Sequence, residues 1–156
     1  MDLLGTDFPY SQEALKGKHA LVCGASKGIG EATAKMMAKA GANVTVCARN
    51  VDSLNQLVTQ LQSLGSGQHQ ALVMDLEDTE NLASKVRSLV NTSGPVHILI
   101  NNAGGPPGGP LMNNEVVDFE AHSSVISMLH IHLSKPLHRT WKRKVMEGLS
   151  KSYPLQ

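Results

Sequence analysis

The stretch Ala20-Leu21-Val22-Cys23-Gly24-Ala25-Ser26-Lys27-Gly28-Ile29-Gly30 decides how this chain folds. Its first four residues form a short apolar run, which predicts a buried strand. Glycines then interrupt the run, and a helical pattern begins at Ile29. A strand, a glycine-rich turn and a helix in this order are the context that a dinucleotide-binding loop requires. The glycine spacing is G-x-x-x-G-x-G, which differs from the more familiar G-x-G-x-x-G.

Each glycine in the turn has a separate physical task. Gly24 permits a tight turn, Gly28 lets the backbone approach a pyrophosphate, and Gly30 lets the helix lie close to the sheet. The start of the helix offers unpaired N–H groups and a positive dipole to the phosphates. A turn that binds nothing can have the same spacing, so the loop needs a second motif to support it. The candidate cofactor contacts in the turn are Gly24, Ser26, Lys27, Gly28, Ile29 and Gly30.

The second motif is Asn101-Asn102-Ala103-Gly104, which follows another apolar run at residues 96–100. Together with Gly-Ala-Ser-Lys-Gly-Ile-Gly, it closely resembles the short-chain dehydrogenase/reductase family, and within it the 3-oxoacyl-acyl-carrier-protein-reductase-like subgroup. The resemblance runs from residue 15 to residue 129. In this family the second motif lies against the ribose and nicotinamide half of the cofactor. The resemblance therefore implies that Asn102, Ala103 and Gly104 contact the cofactor.

The pattern of the chain fits the N-terminal half of this family's fold. Apolar and β-branched runs predict strands at residues 20–23, 43–48, 70–74 and 96–100. Apolar residues at helical spacing predict helices at residues 29–39, 51–64, 79–90 and 115–129. Gly41 is placed to cap the first helix. A lead-in at residues 1–18 and a domain at residues 19–129 follow, with about four βα units. They predict a Rossmann-type, doubly wound α/β fold whose parallel strands have the order 3-2-1-4.

The residues after the second strand bear on the choice of cofactor. An acidic side chain there binds the ribose hydroxyls of NAD, whereas an arginine accommodates the 2′-phosphate of NADP. This chain has Arg49 at that place, and the family pattern puts Lys27 on the same side. The two cations favour NADP over NAD. The alternative is that both are solvated surface charges.

Asp75 and Leu76 follow the third strand. In the family the acid at this place accepts a hydrogen bond from the adenine amino group, so the resemblance makes both residues cofactor contacts. The alternative role for Asp75 is to cap the next helix. The loop at residues 104–110 is rich in glycine and proline, and its place after the fourth strand predicts a wall of the substrate cleft.

The resemblance implies hydride transfer between a nicotinamide and a carbonyl or alcohol substrate. Family catalysis uses a serine, a tyrosine with a lysine four residues later, and an asparagine on the fourth helix. The lysine is needed because a phenol with an ordinary pKa of about 10 is a poor base near neutrality. Tyr10 and Tyr153 both lack such a lysine, and Ile126 stands near the place of the asparagine. We therefore assign no catalytic residue to this chain. The alternatives to an NADP-dependent oxidoreductase are a non-catalytic NADP-binding module and a non-functional truncated product.

The tail, residues 130–156, departs from the family pattern. When its codons are read from the third base, Met146-Glu147 gives a fixed glycine, and the shifted frame allows Gly-x-Gly-Arg-Ile-Ile-x-Ile-x-Ser. This run is similar to the family's fifth strand with its catalytic serine. We interpret the tail as out-of-frame translation after a frameshift near residue 130, with a spliced or naturally short chain as the alternative. On this interpretation, His130, His132 and the basic run at residues 135–144 bind neither metal nor nucleic acid.

Composition sets further bounds on function. The net charge of +1 gives no strong field towards nucleic acid or a membrane surface. Cys23 and Cys47 fall in predicted buried strands, which indicates core thiols in a reducing compartment. No apolar run has transmembrane length, and residues 1–5 lack a signal-peptide pattern, so we predict a cytoplasmic protein. Family members form homo-oligomers through the fourth and fifth helices, and this chain has no counterpart of the fifth.

Overall fold

The computed structural model describes residues 11–103, 127, 133–135, 137–138 and 142. Within this part of the chain, parallel strands alternate with helices. The strands are β1 (His19–Cys23), β2 (Asn43–Ala48), β3 (His69–Val73) and β4 (Ile98–Ile100). The helices are α1 (Gly28–Lys39), α2 (Val51–Leu64) and α3 (Thr79–Ser93). The sheet has the order β3-β2-β1-β4, which confirms the predicted Rossmann-type arrangement.

The sheet carries a separate apolar layer on each face. Side chains of successive strand residues point to opposite faces, so β1 and β2 supply both layers. On one face, Val44 and Val46 pack with the apolar sides of α1 and α2. On the other, Leu21 and the two cysteines pack with α3. Because both faces are covered, the central strands read as nearly continuous apolar runs, as parallel strands usually do.

The ends of α1 and α2 follow from local chemistry. Gly41 has a φ of +88°, and its N–H donates to the carbonyl of Ala38 at 2.9 Å. Ala42 N–H donates to the carbonyl of Met37, which completes a left-handed helix end and confirms the predicted cap. At the start of α2, the side chain of Asn50 accepts a hydrogen bond from Ser53 N–H.

Five predicted elements differ from the observed ones in their bounds. β1 and α1 each begin one residue earlier than predicted, at His19 and Gly28. β3 spans His69–Val73 and not residues 70–74, because its register with β2 pairs Val44 with His69 and Ala48 with Val73. The helix α3 continues beyond residue 90 to Ser93 and ends at Gly94, which has a φ of +79°. β4 begins at Ile98 and not at residue 96, because its Cα pairing with β1 begins there.

The described part of the lead-in packs against the C-terminal end of α1. Residues 12–17 form turns, close to the short helical turn predicted at residues 11–15. Leu15 N–H donates to the carbonyl of Ala40 at 2.8 Å, and the Leu15 side chain packs on the apolar layer of α1 and α2. In the described part of the chain, no helix is both long enough and apolar enough to cross a bilayer.

The described tail residues contribute to the core. Residues 133–135 and 137–138 are helical, and Leu133 and Leu137 are fully buried. They pack in the α3 layer with Leu21, Leu82 and Val86. Their spacing of four residues puts both side chains on one face of a helix. The predicted fourth helix lies outside the described residues except for position 127, which is helical and exposed.

We predict that Leu133→Ala lowers the free energy of unfolding, because it leaves a cavity in the α3 layer. Leu-to-Ala changes at buried sites cost about 2–4 kcal/mol. The measurement is equilibrium unfolding in urea, and the matched control is Lys135→Ala on the exposed side of the same segment. Equal midpoints and slopes for the two variants would show that the tail does not pack against this layer.

Candidate functional site

A cleft of about 570 Å³ opens at the carboxyl ends of the parallel strands. In doubly wound folds, ligands bind at this edge of the sheet, at the point where the strand order reverses. Here β1 lies at the centre, with β2 on one side and β4 on the other. The described residues that line the cleft are Gly24, Ser26, Lys27, Ala48, Arg49, Asn50, Ser53, Met74, Asp75, Leu76, Glu77, Asn102 and Ala103.

The glycine turn is fixed in place by Asn102. The Asn102 side-chain amide donates to the carbonyls of Gly24 at 3.2 Å and Cys23 at 3.4 Å. A Cβ at Gly24 would overlap the Asn102 carbonyl, and one at Gly30 would overlap the Gly24 carbonyl. Gly24 also has a φ of +59°. The sequence predicted that Gly30 allows the helix to lie close to the sheet. The structure shows that Gly30 lies close to the glycine turn and to Asn102.

Gly28 occupies a different environment from the other two glycines. It has a φ of +61°, and a Cβ built on it meets nothing within 4 Å. The helix α1 begins at Gly28, and the preceding residue, Lys27, makes no side-chain cap. The first N–H groups of α1 are thus available to an anion, in contrast to those of α2, one of which Asn50 already satisfies. This arrangement suits a phosphate group close to the backbone.

The side of the cleft that follows β2 carries Arg49, one of the two cations that the sequence predicted there. Arg49 directly follows β2, is exposed, and lines the same cleft as Lys27. Asn50 and Ser53 line the cleft beside them. The sequence pattern did not identify Asn50 or Ser53 as cleft residues, because both fit the ordinary start of a helix. Their polar groups add hydrogen-bonding capacity next to the two cations.

The residues that follow β3 decide between the two roles considered for Asp75. The carboxylate of Asp75 accepts a hydrogen bond from Glu77 N–H at 3.0 Å, and the residue that precedes α3 is Asp78. The capping alternative for Asp75 is therefore wrong, because the turn needs three more residues before the helix begins. Glu77 also lines the cleft and is exposed. No sequence signal marked it, since acidic residues near a helix start are common.

The structure brings most of the predicted contacts together. The predicted residues that line the cleft are Gly24, Ser26, Lys27, Arg49, Asp75, Leu76, Asn102 and Ala103. Gly28 and Gly30 support the turn from outside this lining. The side chain of Ile29 is 77% exposed and lines an apolar groove on α1 instead. Gly104, the loop at residues 104–110, Tyr10 and Tyr153 lie outside the described residues.

The two cysteines lie beneath the cleft as neighbours on β1 and β2. Cys23 and Cys47 are register partners, and both thiols are free and buried. A hydrogen bond with Cys47, together with burial, raises the pKa of the Cys23 thiol far above its usual range. A protonated, buried thiol is a weak nucleophile. This environment agrees with core thiols and not with a catalytic cysteine.

Comparison with known proteins places the chain in a family. The family model described as short chain dehydrogenase matches residues 18–146. The chain belongs to the short-chain dehydrogenase family. The match extends past residue 129, where the motif resemblance ends, and includes Leu133 and Leu137.

Relatives from bacteria share this half of the fold. The chain is 37% identical over 122 residues to a 7alpha-hydroxysteroid dehydrogenase of Escherichia coli, covering 78% of the chain and 47% of the relative. L-sorbose reductase from Gluconobacter frateurii, solved with NADPH and L-sorbose, matches with a TM-score of 0.71 and 27% identity over 82% of the chain and 49% of the reductase. RhlG of Pseudomonas aeruginosa, solved with NADP, matches with a TM-score of 0.68 and 30% identity over 82% of the chain and 50% of RhlG. The chain spans about half the length of each.

We predict that Gly24→Ala destabilises the protein more than Gly17→Ala. Both glycines have positive φ, but only at Gly24 does a Cβ meet another group, namely Asn102. Backbone strain of about 1 kcal/mol is common to both variants. The overlap with Asn102 adds about 2 kcal/mol at Gly24 alone. Urea unfolding measures the difference, and equal losses would contradict the interlocking of the two motifs.

Proposed function

We propose that this chain binds NADP(H) in the cleft and forms the cofactor half-site of a short-chain oxidoreductase. The observation that supports the proposal best is the glycine turn, which Asn102 holds open beside the uncapped start of α1. The cofactor's pyrophosphate fits the open space at Gly28, where the backbone has no Cβ to block it. The solved relatives that contain NADPH or NADP support the same choice of ligand.

The charges of the cleft support NADP(H) over NAD(H). Arg49 and Lys27 are the cations that line it, and Arg49 stands at the end of β2, where the 2′-phosphate of the adenosine ribose binds in such folds. A guanidinium binds phosphate through two parallel hydrogen bonds, which a ribose hydroxyl does not provide. We assign Asp75 and Leu76 to the adenine side of the cofactor and Asn102, Ala103 and Gly104 to the nicotinamide side.

The reaction of such an enzyme is hydride transfer between the nicotinamide and a carbonyl or alcohol group. We propose that these 156 residues do not complete this reaction by themselves, since they contain no tyrosine followed four residues later by lysine. We also propose that the chain belongs to the 3-oxoacyl-acyl-carrier-protein-reductase-like subgroup and that its tail arose by out-of-frame translation.

The second candidate function is a non-catalytic NADP(H)-binding module. The cleft supports it, because cofactor binding needs only the residues described above. The two candidates differ in one assay. If the chain is a half-site, restoring the shifted reading frame gives a protein that consumes NADPH with a carbonyl substrate. If it is a binding module, the protein binds NADPH in either frame without consuming it.

We predict that Arg49→Ala weakens the binding of NADPH and leaves the binding of NADH nearly unchanged. Loss of a hydrogen bond between charged groups costs about 1.5–3 kcal/mol, which is roughly a 10- to 100-fold rise in the dissociation constant. Fluorescence titration of the purified chain with each cofactor measures it. The control is Arg87→Ala, which removes an exposed arginine from α3, away from the cleft. Equal losses for both cofactors would contradict a 2′-phosphate contact.

A further inference from the structure

The helix α1 carries a second apolar face besides the one that packs on the sheet. The buried residues of α1 are Gly30, Ala34 and Ala38, and both alanines pack in the apolar layer with α2. Ile29 and Met36 stand seven positions apart, so they share a different face of the helix. This face continues into the lead-in and forms an open groove of about 510 Å³. We call it the α1 groove, and its described lining is Ala14, Leu15, Ile29, Ala32, Thr33, Met36, Met37 and Ala40.

The chemistry of the α1 groove suits an apolar occupant. Thr33 supplies the one polar side chain of the described lining, and its hydroxyl donates to the Ile29 carbonyl at 2.8 Å. The described lining therefore offers neither an unused side-chain donor nor a charge. Met36 and Met37 are unbranched, so their side chains adapt to whatever packs on them. Contiguous exposed apolar surface of this kind marks an interaction site.

The α1 groove lies on the face of the sheet opposite the described tail residues. The α1 side of the sheet packs with α2, whereas Leu133 and Leu137 pack in the layer of α3. A right-handed crossover that leaves β4 and continues in the direction from β3 to β4 also puts its helix on the α3 face. The geometry therefore favours an occupant from the other end of the chain.

The lead-in enters the structure at the α1 groove. Ala14 and Leu15 line one end of the groove, and Leu15 N–H donates to the Ala40 carbonyl at 2.8 Å. From Ala40 to Ile29 the groove follows the helix for about 16 Å. An extended chain covers about 3.3 Å per residue, so residues 3–10 are long enough to span the groove.

The sequence of residues 3–10 suits this surface. It reads Leu-Leu-Gly-Thr-Asp-Phe-Pro-Tyr and lies outside the described residues. Pro9 disfavours a helix and restricts the preceding residue, Phe8, to an extended conformation. Alternate side chains of an extended segment point to the same side, which groups Leu4, Phe8 and Tyr10. The segment therefore has an apolar side to set against the α1 groove.

We propose that residues 3–10 pack in the α1 groove as an extended segment, with Phe8 against Met36 and Leu4 near Ile29. The direction follows from the point of entry, because the segment leaves Leu15 at the Ala40 end of the groove and reaches Ile29 last. This contact buries apolar side chains of the segment and of α1 together. It involves a different surface from the cofactor cleft and does not depend on the proposed function.

A disulfide cross-link tests the position of Phe8 in the full chain. The double variant Phe8→Cys/Met36→Cys is oxidised with copper–phenanthroline, and the control is Phe8→Cys/Asn55→Cys, whose second cysteine takes an exposed position on α2. Cys23 and Cys47 are fully buried and do not compete. We expect an intramolecular disulfide to form about fivefold faster in the first variant, because packing raises the effective concentration of the two thiols. Equal rates overturn the proposal, and so does a disulfide that joins two chains, which would make a second copy the occupant.

Thermal unfolding measures what the same contact contributes to stability. We expect Phe8→Ser to lower the Tm by about 5 °C, because it removes a buried aromatic side chain. The control is Val51→Ser, which removes an exposed apolar side chain from the start of α2 and should change the Tm by less than about 1 °C. Phe8→Leu keeps an apolar side chain and should recover most of the loss. An unchanged Tm in Phe8→Ser, or equal changes in Phe8→Ser and Val51→Ser, would overturn the proposal.

Discussion

The contact between Asn102 and the glycine turn is the constraint on which the rest of the site depends. Its side-chain amide donates to two consecutive carbonyls at the end of β1, and its own backbone closes the space in which side chains on Gly24 would stand. This contact joins the carboxyl ends of β1 and β4. It also fixes the direction in which the turn leaves the sheet, and α1 then begins without a side-chain cap on its first N–H groups.

Side chains make hydrogen bonds at both ends of the short strand β4. At the carboxyl end the Asn102 side chain donates a hydrogen bond to the glycine turn, and at the amino end the His97 ring accepts one from His19 N–H. Between them only Ile98–Ile100 pair with β1. A strand of three residues contributes few ladder hydrogen bonds, so each terminal contact is a large share of what keeps it in register.

The sequence predicted the sheet order and most element bounds, because apolar runs and helical spacing carry that information directly. It could not reveal the contact of Asn102 with Gly24, which joins residues 78 positions apart. Nor could it decide whether Asp75 caps the next helix, because that depends on how far the turn after β3 extends. Leu133 and Leu137 escaped notice because their segment lacks a sustained apolar pattern. Which nitrogen of His97 accepts a hydrogen bond is a tertiary fact.

The most direct test of this account is a backbone amide NMR titration of the chain with NADP⁺. The account predicts shifts concentrated in four places: the glycine turn with the first turn of α1, Arg49 with Asn50, Asp75 with Leu76, and Asn102 with Ala103. The residues at the amino ends of the strands and the outer face of α1 should stay unchanged apart from small effects. Absence of saturable shifts, or shifts centred at the amino ends of the strands, would contradict the central claim that this interlocked turn is a cofactor site.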